Sequence, residues 1–339
     1  MSVVGDVIAT NGPSSYSSGD RGQVPGLRRS SLLHGAILLC LAALPFVLAP
    51  YPMNVMTRIL IFGLFAASLD LLVGVSGLAS LGHAAYFGIG GYAAGILAIH
   101  VTSNGPAQLL IAFVAGGLGA AFVGVVLVRS RGIYFLMLTL AVGELVRQLA
   151  ESWRVVTGGS NGLAGIPAAT LLPGAPITGA GLLYWYALMA CALGYAVLKL
   201  ASASSFGVTM RGIRDNEARM RALGYATNRY KLAAFTLAGA VAGMAGALWM
   251  TQQRFLSPAD LGFDVAVLAL LAVVIGGKGS LWGSFVAAAG VILIRDELSN
   301  TIGGHGPLLL GIAFVLAVYL LPRGVAGLTT GRRGRRIKS

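Results

Sequence analysis

The chain is a succession of apolar runs, most of them long enough to cross a membrane, separated by short polar segments. A bilayer core about 30 Å thick requires a helix of about 20 apolar residues, and ten runs approach that length. We place them at 32–50, 53–75, 83–101, 107–128, 133–151, 181–201, 230–252, 263–276, 281–297 and 306–322. Charged residues make up only 10% of the 339 positions, against roughly 25% in an average globular protein. We therefore expect an all-α polytopic membrane protein with about ten transmembrane helices, of which 263–276 either spans or is re-entrant.

The positions of the basic residues predict the orientation of these helices. With both termini in the cytoplasm, the inner segments contain nineteen of the 24 Lys and Arg residues, as the positive-inside rule requires. Residues 1–31 are rich in Ser and Gly without helical or strand periodicity, and they predict a disordered cytoplasmic tail. Residues 32–322 form the predicted transmembrane domain. Residues 323–339 predict a basic cytoplasmic tail that contacts anionic membrane lipid rather than nucleic acid.

Two loops are longer than the connections require. The outer loop, about 152–180, contains several Gly and Pro residues and predicts a set of turns. The inner loop, 202–229, has apolar residues at positions 210, 213, 220 and 223, a spacing typical of one face of a helix. We expect a short amphipathic helix within 210–224 on the cytoplasmic side, with Gly224 at the position that follows its last turn.

Polar residues inside the apolar runs are candidates for function because they are costly in lipid. Glu144 and Arg147 are three residues apart on one predicted helix, so they can neutralise each other as a structural pair. The alternative is a proton or ion relay, for which Asp70 is the best candidate. Ser80 and His83 stand where two predicted helices meet, and exposed backbone at such a break can line a transport pathway. Helix packing and a structural hydrogen bond of His83 are the other interpretation.

Several kinds of chemistry are excluded by the motifs. The Gly/Lys cluster 276–280 lacks both the first Gly and the Ser or Thr of a phosphate-binding loop, so the chain itself is not expected to hydrolyse ATP. Cys40 and Cys191 lie inside apolar runs, where they predict buried small residues. The four His residues are scattered, and no catalytic or metal-binding set has a usable spacing. We expect neither an enzyme nor a bound metal.

Ordered motifs from about residue 55 to 328 resemble the LivM-type permeases of branched-chain amino acid ABC importers. The resemblance is carried by SLGHAAYFGIGGY from Ser80, RGIYF from Arg131, TGGSNGL from Thr157, RDNE from Arg214, ALG from Ala222, YKL from Tyr230, AGMAGA from Ala242, GSLWG from Gly279 and LPRGVAGL from Leu321. Because these motifs are dispersed and keep one order, together they are much more specific than any of them alone.

The resemblance implies a permease subunit in a bacterial inner membrane that imports branched-chain or related hydrophobic amino acids. Its implied partners are a LivH-like permease, two ATP-binding subunits and a periplasmic amino-acid-binding protein, so ATP would bind to partner subunits and the chain itself would hold no cofactor. The implied contacts with the ATPase lie in the inner loop, at Arg214, Glu217, Ala218, Leu223 and Gly224. The candidate residues of the translocation path are Ser80, His83, Phe87 and Glu144.

The inner loop departs from the motif that ABC permeases share there. Gly224 comes seven residues after Glu217 rather than six, and Arg219 stands where the second Ala would be. Permeases for urea or short amides are closely similar, so a different small substrate is one alternative. An ion-coupled secondary transporter is the other.

Overall fold

The computed structural model describes most of the chain between residues 41 and 298 and a few segments beyond. The described residues are 41–46, 48–172, 175–298, 308, 311–312, 315–316, 319 and 324–330. Grouped by the contacts between residues, the chain divides into two units, Met1–Leu44 and Pro45–Ser339. The first is described only at residues 41–44, and the helices and strands that follow belong to the second. The predicted tail 1–31 lies outside the described residues.

Helices dominate the described part of the second unit. They are α1 (Pro50–Asp70, continued by a π-helical turn Leu71–Val75), α2 (His83–His100), α3 (Gly105–Leu127), α4 (Ile133–Ser152), α5 (Arg154–Thr157), α6 (Ala180–Ala203), α7 (Ser205–Asp215), α8 (Glu217–Ala222), α9 (Thr227–Gln253), α10 (Phe263–Gly276), α11 (Leu281–Ile292, continued by a π-helical turn Leu293–Leu298) and α12 (Gly324–Thr330). Short 3-10 turns cover Leu44–Phe46, Gly159–Asn161 and Pro258–Leu261. Two short antiparallel strands, β1 (Thr170–Leu172) and β2 (Ala175–Pro176), form a hairpin.

Eight of the ten predicted spans coincide with helices, which confirms the all-α polytopic architecture. Within the described residues, five helical segments are long and apolar enough to cross a membrane: Pro50–Val75, Gly105–Leu127, Ile133–Ser152, Ala180–Ala203 and Thr227–Gln253. The helix at 263–276 is a shorter apolar helix. Most of the predicted spans 32–50 and 306–322 lies outside the described residues, so the count of ten stays a prediction.

The structure departs from the sequence prediction in two connecting regions. The outer loop contains the predicted turns but also α5 and the β1–β2 hairpin, which the Gly and Pro pattern did not reveal. The first residues of the predicted basic tail form α12, and a Cβ added at Gly324 would overlap the backbone of Gly277. This part of the tail therefore packs against the turn between α10 and α11.

Side chains at the N-termini of α3 and α11 explain why these helices begin where they do. Asn104 precedes α3 and accepts a hydrogen bond from the backbone N–H of Ala107 at 3.3 Å, and Pro106 fits the first turn because its missing N–H is not needed there. Ser280 precedes α11 and accepts from the N–H of Gly283 at 3.4 Å. Such caps satisfy backbone donors that a helix leaves unpaired at its N-terminus.

Helix α9 lies at the centre of the packed helices and is continuously buried from Ala238 to Leu248. Its small residues allow neighbouring backbones to come very close. A Cβ added at Gly246 would overlap the carbonyl oxygen of Phe87 in α2, and one added at Gly243 would overlap that of Ala112 in α3. Apolar residues alone cannot drive helices together in lipid, so close backbone packing of this kind supplies much of the attraction.

We expect Gly246→Ala to destabilise the protein by about 1–3 kcal/mol, because backbone atoms of α2 would have to move to admit one methyl group. Gly290→Ala in α11 is the matched control, since that glycine is exposed and an added Cβ meets nothing within 4 Å. Thermal unfolding of the detergent-purified variants measures the difference. Equal melting temperatures would show that the α2–α9 contact is not tightly packed.

Helices α3 and α4 are the least buried of the long helices and expose many large apolar side chains. On α3 these include Leu110, Leu118, Phe122 and Val126, and on α4 they include Tyr134, Met137, Leu145 and Leu149. In water such a surface would be unfavourable. It is suited to lipid or to another membrane subunit.

Candidate coupling and translocation site

The predicted inner amphipathic helix is two helices with a break at Asn216, so the single-helix expectation for 210–224 is wrong. Asn216 has extended backbone angles (φ −157°, ψ 93°), and its side chain accepts a hydrogen bond from the N–H of Arg219 at 2.9 Å. A side chain that caps a new helix in this way competes with continuation of the preceding one. The apolar face is divided accordingly: Met210 and Ile213 on α7 are buried, whereas Leu223 after α8 is 67% exposed.

The end of α8 has the geometry expected for Gly224. Its φ is +87°, a left-handed conformation that glycine adopts without a steric penalty. The N–H of Tyr225 donates to the carbonyl of Met220, and the N–H of Gly224 donates to that of Arg221. These two bonds form a Schellman motif, which fixes the position of the exposed Leu223 side chain beside the turn.

Glu217, the first residue of α8, is the centre of an ion network. Its Oε2 lies 2.7 Å from Nζ of Lys231 in α9 and 3.3 Å from Nε of Arg131, which precedes α4. Its Oε1 lies 2.8 Å from Nη2 of Arg221, and the Thr227 hydroxyl donates to the same oxygen at 3.3 Å. The network joins α8 to the starts of both α4 and α9.

Burial makes this network energetically important. The Lys231 side chain is only 5% exposed and that of Glu217 15%, so each ion depends on the other for the solvation that it has lost. Burial alone would raise the pKa of Glu217, but the hydrogen bond from Lys231 and the charges of Lys231, Arg131 and Arg221 outweigh it and lower that pKa. Glu217 is therefore charged at neutral pH and holds α8 in place.

Arg214 connects α7 to the end of α1. Its Nη1 donates to the carbonyl oxygen of Gly74, within the π-helical turn. At the same point Asp70 Oδ1 accepts a 2.7 Å hydrogen bond from the N–H of Gly279, and a Cβ added at Gly74 would overlap the Gly279 backbone. Asp70, the candidate for an ion relay, thus holds the turn between α10 and α11 against α1. Its Oδ2 is buried and has no hydrogen-bond partner in the part of the chain that the structure describes.

Three of the four predicted pathway residues are buried within this chain. Ser80 lies in the non-helical stretch 76–82 and His83 begins α2, as the predicted break requires. His83 Nε2 is 2.8 Å from the Ser68 hydroxyl, and its ring stacks on Phe65 with centroids 5.5 Å apart. Among the described residues, His83 Nδ1 and Ser80 Oγ are buried and have no hydrogen-bond partner. Phe87 is also buried and packs against the Phe65 ring at 4.9 Å between centroids.

Glu144, the fourth, lies on the exposed face of α4. The predicted pair is present, with Arg147 Nη2 2.6 Å from Glu144 Oε1. Arg147 Nη1 also lies 2.8 Å from Oε2 of Glu151, a partner that the sequence analysis did not identify. Glu144 is 46% exposed in its side chain. Because charges facing lipid are costly, this face of α4 is suited to water or to another protein.

Sequence reasoning identified Glu217 but none of its four partners, Arg131, Arg221, Thr227 and Lys231. Arg131 and Lys231 nevertheless stand in motifs that carry the resemblance. A basic residue at the start of an apolar run usually indicates only a membrane boundary. Within the described residues no group of three or more His, Cys, Asp and Glu side chains could hold a metal ion. Cys191 is buried and donates to the carbonyl of Leu60 at 3.4 Å, whereas Cys40 lies outside the described residues.

The fold defines a multi-pass helical membrane protein with a helical loop between two of its long helices. Residues 51–324 match the family described as the branched-chain amino acid transport system / permease component. The chain belongs to this family, whose members are transport subunits rather than enzymes.

Two similar proteins share most of the chain. The high-affinity branched-chain amino acid transport system permease protein LivM of Escherichia coli and that of Salmonella typhimurium are each 30% identical over 316 residues, covering 87% of this chain and 74% of theirs. The autoinducer 2 import system permease protein LsrC of an Enterobacter species is 32% identical over 196 residues, 54% of this chain and 53% of its own. No solved structure matches the chain.

Proposed function

We propose that the protein is a permease subunit of an ATP-driven importer that moves branched-chain or related hydrophobic amino acids into the cytoplasm. It would act with a LivH-like permease, two ATP-binding subunits and a periplasmic amino-acid-binding protein. The observation that carries the proposal is the construction of α8. A large apolar side chain, Leu223, is exposed beside a small helix that the Glu217 network anchors to the transmembrane helices. Such a projection is suited to the groove of a partner subunit.

Motion of the ATPase would reach the membrane through two connections. From α8, the Glu217 network leads to the starts of α4 and α9. From α7, Arg214 leads to Gly74 and so to the turn held by Asp70. ATP binding and hydrolysis on the partners would then shift the balance between two packings of the helices, open to opposite sides. Ala218, Leu223 and Gly224 are exposed and form the proposed contact surface, while Glu217 and Arg214 act behind it.

The proposed path includes Glu144, which is exposed, and Ser80, His83 and Phe87, which would be uncovered only in another packing. Ser80 Oγ and His83 Nδ1, which lack partners among the described residues, support this assignment, because a buried donor or acceptor without a partner is unfavourable. In the ion-relay alternative, Asp70 would use its Oδ2, because its Oδ1 already accepts a hydrogen bond from Gly279.

Glu144→Gln separates a pathway role from a structural one. Arg147 keeps Glu151 as a partner at 2.8 Å, so we expect little change in folding yield. Uptake should fall if Glu144 lines the path. The gel-filtration profile and the uptake of the variant separate the two roles, and Leu149→Ala, at an exposed apolar position of the same helix, is the control. A misfolded Glu144→Gln protein would instead show that the pair with Arg147 is structural.

The proposed location is the bacterial inner membrane, with both termini in the cytoplasm. A reporter inserted at Gly165, which is exposed in the outer loop, should report the periplasm, and one fused after Gly331 should report the cytoplasm. The partition of basic residues is the physical reason. A periplasmic signal from the second fusion would contradict the ten-helix topology.

The direct test is uptake by vesicles that contain the protein and its co-expressed partner subunits. We expect ATP-dependent accumulation of labelled leucine, isoleucine or valine in the presence of the binding protein. Labelled urea tests the alternative substrate class. Loss of uptake on addition of a protonophore at constant ATP would favour the ion-coupled alternative.

A further inference from the structure

A groove of about 440 Å³ opens on the outside of the helix bundle between α3 and α9. Its α9 side is formed by Arg229, Leu232, Ala233, Thr236 and Leu237, spaced at intervals of three and four residues that define one face of a helix. These first turns of α9 reach the surface, whereas the helix is buried from Ala238 to Leu248. The groove has the size of ordinary small-molecule sites, about 300–1,000 Å³.

The two ends of the groove differ. One end, formed by Phe113 of α3, lies far from the start of α9. Helix α3 runs antiparallel to α9, and its Gly116 already faces Gly239 and Gly243, so Phe113 lies at least as far along α9 as these glycines. Arg229 lies at the other end, beside the start of α9. Arg229 is exposed, and no carboxylate within the described part of the chain pairs with it. An apolar groove thus ends in a free cation.

The length of the groove matches one leaflet of a membrane. From Arg229 to Ala240, which lines the inner part of the groove, α9 advances about 16 Å at 1.5 Å per residue. Half of a hydrocarbon core is about 15 Å. On the α3 side, Leu118 and Phe122 are exposed apolar residues suited to bulk lipid. A phospholipid with one acyl chain along α9 and its headgroup phosphate at Arg229 would therefore match both the length and the charge of the groove.

We propose that this groove is a binding site for an anionic phospholipid, which inserts one acyl chain along α9 and pairs its headgroup phosphate with Arg229. On the predicted orientation the lipid belongs to the cytoplasmic leaflet, where anionic headgroups attract basic side chains. The bound lipid would cover the exposed face of α9 next to Lys231 and the Glu217 network. The proposal stands independently of the transported substrate.

The test uses the assembled transporter in phosphatidylcholine vesicles that contain a trace of photoactivatable phosphatidylglycerol or photoactivatable phosphatidylcholine. We expect phosphatidylglycerol to label the peptide 227–240 more strongly than phosphatidylcholine does. One favourable contact of a basic residue with anionic lipid corresponds to about a fivefold preference, so Arg229→Gln should remove a preference of that size. Ala233→Trp fills the groove at an exposed position and should lower labelling by both lipids.

Two controls keep the test specific. Arg219→Gln removes an exposed cation of α8 outside the groove and should leave the labelling unchanged, and Arg229→Lys should retain most of the preference. Equal labelling by the two lipids in the unmodified protein would overturn the proposal. Labelling of the isolated chain that disappears in the assembled transporter would also overturn it, because a partner subunit would then occupy the groove.

Discussion

Glu217→Ala is expected to lower the free energy of unfolding by about 3 kcal/mol, the lower end of the ~3–5 kcal/mol cost of breaking a buried ion pair. The reason is Lys231, whose side chain is 5% exposed and would lose the carboxylate 2.7 Å away. Arg131 and Arg221 are more than half exposed and remain solvated without Glu217. Thermal unfolding in detergent measures the effect.

The matched control is Arg221→Ala, which removes an exposed partner of the same carboxylate and should cost about 1 kcal/mol or less. A double variant, Glu217→Leu with Lys231→Met, removes both buried charges and should recover much of the loss, because an ion pair and an apolar pair of similar size are often close in stability. Unchanged melting of Glu217→Ala together with loss of the co-purifying ATPase would contradict the internal role. It would place the Glu217 carboxylate in the subunit contact instead.

The Glu217 network also predicts how the stability of the folded protein depends on pH. Because the folded protein lowers the pKa of Glu217, the carboxylate contributes stability that is complete above the ordinary glutamate value of about 4.3. That stability is lost as the pH falls from this value through the lower folded-state pKa. The difference in melting temperature between unmodified protein and Glu217→Ala should therefore shrink on acidification below about pH 4.3.

Most of the transmembrane architecture could be predicted because it follows from local composition. Runs of apolar residues coincide with α1 to α4, α6 and α9 to α11, and the short run 263–276 is a correspondingly short helix. The Glu144–Arg147 pair was predictable for the same reason, since two residues three apart on a helix must be neighbours. Such features depend on the period of a helix and the thickness of a membrane.

The organisation of the inner loop depends on contacts that are distant in sequence. Glu217 meets Arg131, 86 positions away, and Lys231, 14 positions away, so no local pattern could show that this carboxylate is already used within the chain. The break at Asn216 was hidden as well, because residues 210, 213, 220 and 223 keep one helical spacing across it. In the fold that spacing divides into an inward face, with Met210 and Ile213, and an outward Leu223.

That division makes Leu223→Asp the sharpest test of the proposed coupling surface. Leu223 is 67% exposed, so within the chain itself the substitution should change stability by no more than about 0.5 kcal/mol. If a partner groove buries this side chain, an unpaired carboxylate there costs several kcal/mol, which corresponds to a loss of affinity of more than about a hundredfold. We expect a normally folded permease that no longer retains its ATPase.

Two variants separate this effect from a general sensitivity to charge. Val155→Asp places the same charge at a 95% exposed apolar residue of the outer loop and should leave ATPase binding and uptake unchanged. Arg219→Gln removes an exposed charge from α8 and should have a small, salt-sensitive effect, because exposed charges contribute about 1 kcal/mol or less and are screened. ATPase co-purification and uptake at low and high salt are the measurements. If Leu223→Asp has no effect while Arg219→Gln lowers uptake in a salt-sensitive way, α8 binds the membrane surface by its charges. An apolar contact with a protein groove predicts the reverse, with Leu223→Asp more harmful than Arg219→Gln.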